Sequence, residues 1–102
     1  MNFNEYQQLT KTTRLASADP GYIVLGLVGE VGELYGYLAK SVRDGYEPEQ
    51  KKLLGEMGDI LWFFTEMCSD MGFQLNDVAS YNLEKLAKRA QDNKLQGSGD
   101  DR

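Results

Sequence analysis

The sequence predicts an all-α fold, a compact bundle of about four helices. Apolar residues recur at three- and four-residue spacing through each long segment, the signature of amphipathic helices. Nowhere does the chain show the strict period-two alternation of a half-buried strand. Short runs of turn formers separate the segments, and such short connections favour antiparallel neighbours.

The first helix is expected over about Phe3–Ala16, with Phe3, Tyr6, Leu9 and Thr13 near one face. Ser17-Ala18-Asp19-Pro20-Gly21 then breaks the chain. The second helix is expected over about Tyr22–Arg43, with Ile23, Leu27, Leu34 and Leu38 as its stripe and Val24, Val28, Val31 and Tyr35 widening it. Gly45 suits the left-handed position after a helix end. Pro48 suits a first helical turn, so the third helix is placed at about Pro48–Asp70, ended by Gly72. Its broad apolar face comprises Leu53, Leu54, Met57, Ile60, Leu61, Phe64 and Met67. Asn76 or Asp77 is the expected cap of a fourth helix, about Asp77–Gln91, resting on Val78, Tyr81, Leu83, Leu86 and Ala90. Residues 1–92 thus read as one helical domain and 93–102 as a polar flexible tail with little to bury.

At 102 residues the chain has a modest core of its own, and chains of this size often gain stability by associating. A net charge of −5 and a pI near 4.6 argue against a nucleic-acid polymer as partner, because no basic stripe neutralises phosphates. No run approaches the roughly 18 consecutive apolar residues of a membrane span. The first ten residues lack the basic start and apolar stretch of a signal peptide, so a cytoplasmic setting and no membrane partner are expected. Cys68 stands alone, which excludes an intrachain disulfide and reads as a small core hydrophobe. Histidine is absent, which removes Ser-His-Asp and Cys-His catalysis and zinc sites that use His. Any chemistry near neutral pH falls to carboxylates, lysines, tyrosines or a metal-bound water.

Glu30-Val31-Gly32-Glu33 and Glu56-Met57-Gly58-Asp59 share one form, two carboxylates at i and i+3. Three residues advance a helix by about 300°, so each pair projects from nearly one side. Both pairs sit at helix centres among apolar residues, where no helix terminus compensates their charge. Packed antiparallel, the two helices bring four acids towards one volume, and a hard divalent cation is the natural answer to that repulsion. Magnesium fits best, with manganese as a substitute. Gly26, Gly29, Gly32 and Gly36 on one helix and Gly55 and Gly58 on the other each cost about 0.5–1 kcal/mol relative to Ala, a cost that a close approach of backbone or ligand explains. Either pair alone reads more readily as a solvated acidic face, and the two pairs together put the ligand reading level with it.

Glu30-x-x-Glu33, a gap of 22 residues, then Glu56-x-x-Asp59, resembles the signature of MazG-type nucleotide pyrophosphohydrolases, members of the all-α nucleoside triphosphate pyrophosphatases. Asn82-Leu83-Glu84-Lys85-Leu86-Ala87-Lys88-Arg89 is similar to that family's Asn-x-x-Lys-x-x-x-Arg segment, so the likeness runs from about Tyr22 to Arg89. The resemblance implies hydrolysis of an NTP or dNTP to the monophosphate and pyrophosphate, in nucleotide pool control or house-cleaning. It also implies magnesium held by Glu30, Glu33, Glu56 and Asp59, phosphates met by Lys85 and Arg89, the nucleotide positioned by Asn82, and a homodimer or homotetramer with sites between subunits. Without histidine, Glu33, ahead of Glu30, is the acid that takes the proton of the attacking water.

Several residues stay open to two readings. Lys85 and Arg89 with Lys88 also make a plain basic face. Lys40 and Arg43 are phosphate candidates or partners of a negative helix end. Trp62 and Phe63 are core or a stacking surface for a base, Phe63 lying one turn beyond Asp59. Two rivals accompany the main reading: a pyrophosphatase for phosphoribosyl-ATP or another nucleotide, and a non-catalytic helical oligomerisation or regulatory module.

Overall fold

The computed structural model describes residues 1–100, and the last two positions of the expected tail lie outside the described residues. Four α-helices account for the fold: α1 (Phe3–Thr10), α2 (Pro20–Asp44), α3 (Gln50–Asp70) and α4 (Leu75–Gln91), with a 3-10 turn at Lys11–Thr13 after α1. No strand occurs among the described residues. The all-α bundle expected from periodicity is the observed architecture.

α2 and α3 form the central hairpin. Their directions oppose: Gly26 meets Phe63 towards one end, while Lys52 stands over the Tyr37 ring at 4.6 Å towards the other. Asp19 caps α2 by accepting from Tyr22 N at 2.8 Å, which brings Pro20 and Gly21 inside the helix. Gly45 ends it in the left-handed conformation at φ 73°, as does Gly72 after α3 at φ 81°. α3 starts two residues later than expected. Pro48 lies before it, Glu49 is its N-cap, and the Glu49 amide donates to the Tyr37 hydroxyl at 2.8 Å.

Two expectations need correcting. α4 is capped at Gln74, not at Asn76 or Asp77, because its first amide, Leu75 N, donates to the side chain of Gln7 on α1 at 2.7 Å. α1 stops at Thr10, where Thr12 and Thr13 hydroxyls bond back to the carbonyls of Leu9 and Thr10 and the chain tightens to a 3-10 turn. The face α1 buries is also polar. Gln7 and Thr10 are buried, whereas Phe3 and Leu9 are exposed. Gln7 donates to Ser69 Oγ at 2.9 Å and to the Phe73 carbonyl at 3.0 Å, so its amide is satisfied on both sides and ties α1 to α3 and α4.

The single chain buries little apolar surface. Ile23, Phe63, Cys68 and Leu75 form its core, Cys68 in the structural place expected of it. Leu25 at 74 %, Val28 at 69 % and Val42 at 83 % stand in the open on α2. By length and composition α2 is long and apolar enough to cross a membrane, and only 6 % of its most apolar window is buried, although no apolar run passes Glu30. The radius of gyration, 16.6 Å, exceeds the roughly 13 Å of a compact domain of about 100 residues. The hairpin has uncovered sides.

Candidate metal centre

The antiparallel hairpin brings the acids of α2 and α3 together. Carboxylate oxygens of Glu30, Glu33 and Glu56 lie within 4.8 Å of one another. Glu33 is exposed, whereas Glu30 and Glu56 are half-buried. In both half-buried acids Oε2 is out of contact with water and has no hydrogen-bond partner. Desolvation pushes the pKa of Glu30 above the usual carboxylate range, and Glu33, Asp59 and Glu56 add repulsion in the same direction. Asp59, the fourth expected ligand, is exposed and within electrostatic reach of Glu30 but is not one of the three acids whose oxygens meet.

A buried acceptor without a donor costs free energy, more when it is charged. These oxygens are all hard donors, and a divalent cation satisfies them and cancels the repulsion together. The residues present therefore fit a magnesium-type ion. No soft or imidazole ligand stands among them.

Next to Asp59 opens a cavity of about 530 Å³, lined by Thr13, Leu15, Tyr22, Asp59, Trp62 and Phe63. The Trp62 indole donates to Thr13 Oγ1 at 2.8 Å, which fixes the ring against the α1–α2 connection. Phe63 is buried and meets Trp62 edge-on, with ring centroids 5.0 Å apart, and Tyr22 at 5.9 Å. A Cβ on Gly26 would overlap the Phe63 ring, so this glycine is what lets the ring lie against α2. A Cβ on any of the other glycines threaded through the acidic motifs, Gly29, Gly32, Gly55 and Gly58, or on Gly36, would point into open space, with nothing within 4 Å beyond its own helix. The close approach expected at all six occurs inside the chain at Gly26.

The remaining candidates stand apart from the acids. α4 packs mainly on α1 and α3, and the cavity beside Lys85 and Arg89 is lined by none of Glu30, Glu33, Glu56 and Asp59. Asn82 is exposed on α4, and Lys40 is exposed late on α2, where its charge adds to the Arg43 hydrogen bond that lowers the pKa of Asp44. Sequence reasoning passed over Tyr22 and Tyr6. Tyr22 forms an aromatic wall of the cavity, and Tyr6 has its pKa raised by desolvation and then by Asp59. Their signal was an aromatic residue on each helix flanking the Asp19 turn, legible only once α1 and α3 are known to meet.

A family model described as the MazG nucleotide pyrophosphohydrolase domain matches residues 19–93. The Gene 37 protein of Mycobacterium phage L5 is 35 % identical over 85 residues, covering 79 % of this chain and 75 % of that protein. No solved structure matches the chain.

Proposed function

The chain belongs to the MazG nucleotide pyrophosphohydrolase family, and from that premise we propose that it hydrolyses a nucleoside or deoxynucleoside triphosphate to the monophosphate and pyrophosphate with the help of magnesium. The observation that carries this reading is the pair of buried, unpartnered oxygens on Glu30 and Glu56. Together with Glu33 and Asp59 these residues would hold the ion. Bound there, magnesium supplies charge neutralisation at phosphate oxygens and acidifies a water.

The chain's own groups do the rest. The aromatic cavity of Tyr22, Trp62 and Phe63 takes the base, its stacking faces being tolerant of base identity. Glu33, exposed beside two acids committed inward, accepts the proton of the attacking water on a carboxylate oxygen. The water oxygen bonds to the α-phosphorus as the bond from that phosphorus to the bridging oxygen of the β-phosphate breaks. Pyrophosphate leaves, and Lys85 and Arg89 steady its charge.

In this reading a second copy of the chain completes the site. One chain leaves Leu25, Val28 and Val42 uncovered and keeps Lys85 and Arg89 in a cavity that none of Glu30, Glu33, Glu56 and Asp59 lines. A homodimer, or a dimer of dimers, covers the first and brings the second. The test is pyrophosphate release from a panel of ordinary and oxidised dNTPs with Mg²⁺, beside phosphoribosyl-ATP. Release from a triphosphate, lost with EDTA and lost in Glu56→Gln while helicity is kept, is the expected result. Full activity of that variant removes the metal-site assignment, and a wild type inert towards every nucleotide removes the enzyme.

A further inference from the structure

Beyond α4 the chain turns back on the helix it has just left. Asn93 adopts φ 56°, and Lys94 N donates to the Arg89 carbonyl at 2.7 Å, reversing the backbone at the helix C-terminus. Gly97 N donates to the Lys94 carbonyl at 3.3 Å, and Gly99 adds a left-handed residue at φ 80°. Two glycines and a serine in succession leave no bulky side chain to hold this segment off the helix. The Gly99 carbonyl then accepts from Arg89 Nη2 at 3.3 Å. One residue later, a single oxygen of Asp100, Oδ1, accepts from Arg89 Nη2 at 3.0 Å and from Lys85 Nζ at 2.9 Å.

The two cations so joined are one helical turn apart. Like charges at that spacing repel, and both side chains are long and rotamer-rich. An oxygen shared between them fixes both rotamers and cancels one of the two charges. Arg89 is buried, at 7 % exposure, and a guanidinium in that position needs a counter-charge. Asp100 stays largely exposed, with its pKa held low by Lys85 first and Arg89 second, so it remains an anion through the neutral range. An ammonium has three donors and a guanidinium five, and the contacts to Asp100 and Gly99 use only part of that capacity.

We propose that Asp100 is a positioning residue, whose carboxylate holds Lys85 and Arg89 side by side as one phosphate-binding pair and makes the Gly97–Asp100 segment part of the nucleotide site. The inference rests on the proposed function in taking that anion to be a polyphosphate. A tail that merely competed with phosphate would have to uncover Arg89, giving up the Gly99 carbonyl as well as the carboxylate. A tail that positions stays in place while the spare donors bind.

The experiment uses the full chain, its Asp100→Asn and Asp100→Glu variants, steady-state pyrophosphate release, thermal melting, and calorimetric titration with inorganic pyrophosphate and Mg²⁺. Asp100→Asn is expected to raise KM about three- to tenfold, the scale of one exposed charge-assisted contact, with kcat within about twofold. Its thermal midpoint falls modestly, because the buried Arg89 guanidinium loses its counter-charge, and Asp100→Glu restores both KM and the midpoint. A lowered KM identifies a competing tail and overturns the proposal. An unchanged KM overturns it too, as does a lowered melting midpoint accompanied by parallel loss of kcat. If the wild type hydrolyses nothing, the proposed function fails by itself and the titration decides. Weaker pyrophosphate binding by Asp100→Asn then upholds the positioning role, and equal or absent binding ends it.

Discussion

α3 carries buried carboxylates at two places, and they live under opposite conditions. Glu66, at 1 % exposure, accepts from Thr10 Oγ1 at 2.8 Å and from Arg14 Nη1 at 3.3 Å, and Arg14 also donates to Asp70 at 2.7 Å. Ten residues earlier, Glu56 buries an oxygen with no donor at all and faces Glu30 in the same state. Both sites are acid in an apolar helix. What separates them is the partner: Glu66 is satisfied by its own chain, and the buried oxygens of Glu30 and Glu56 receive no donor from it. A buried acid indicates a ligand only when the fold supplies it no donor.

The largest expected effect breaks this contrast at its functional end. Glu56→Gln removes one charge from the proposed cation site and should lower the pyrophosphate release rate by roughly a thousandfold, about 4 kcal/mol of lost charge stabilisation. Circular dichroism should show helicity unchanged, since no hydrogen bond of the fold uses that side chain. At the structural end, Glu66→Ala takes one acceptor from Thr10 and one from Arg14, which keep the Gln7 carbonyl and Asp70. Breaking one side of a buried pair costs about 3 kcal/mol. Chemical denaturation should show that loss while the rate per folded molecule holds near wild type. The reverse pattern, a stable Glu66→Ala protein that is inactive, would mean that the two regions have been misassigned.

Cation binding sharpens the same comparison more gently. A ligand present at a hundredfold its Kd stabilises by about 2.7 kcal/mol, so Mg²⁺ should raise the melting midpoint of the wild type by several degrees. Glu56→Gln should lose most of that gain. Without metal it should melt above the wild type, because the substitution relieves repulsion within the acidic group. Mn²⁺ should replace Mg²⁺ in both measurements, and Glu66→Ala should keep the full metal-dependent shift from its lower baseline.

The two regions were not equally legible. The acidic cluster was visible because its information is local: Glu30 with Glu33 and Glu56 with Asp59 are spaced by helical geometry, and two apolar stripes with a short turn imply the antiparallel hairpin that gathers Glu30, Glu33 and Glu56. The fold class was visible for the same reason. The Glu66 network was hidden, because its partners Arg14 and Thr10 lie 52 and 56 positions away and no periodicity names them. A polar residue such as Gln7 looks like a solvated position until the amide of Leu75 is found in front of it. Helix boundaries slipped where side chains rewrote the capping, at Gln74 by Gln7 and at Thr10 by the threonines that follow. The fold-back of Asp100 onto Lys85 and Arg89 was hidden by composition, since Gly-Ser-Gly-Asp reads as tail wherever nothing is known to receive it.

The smallest expected effects concern the glycines, where one residue type does two jobs. Gly26 is occupied space: a methyl there meets the Phe63 ring, which belongs to the core and cannot swing away freely. Gly26→Ala should therefore destabilise by about 1–3 kcal/mol through overpacking and disturb the aromatic cavity with it. Gly58, between Glu56 and Asp59, has open space around it, so in the isolated chain Gly58→Ala should stabilise α3 by about 0.5–1 kcal/mol through helix propensity alone. A residue that forgoes such an easy gain at the centre of an acidic motif is kept for something that approaches it. Gly58→Ala should accordingly raise stability and lower activity together, by roughly tenfold if the methyl displaces a phosphate or a second copy by a fraction of an ångström. Thermal melting beside pyrophosphate release reads both. A stabilised variant with full activity would show that the room beside Glu56 serves neither nucleotide nor partner, and would confine the glycine argument to Gly26.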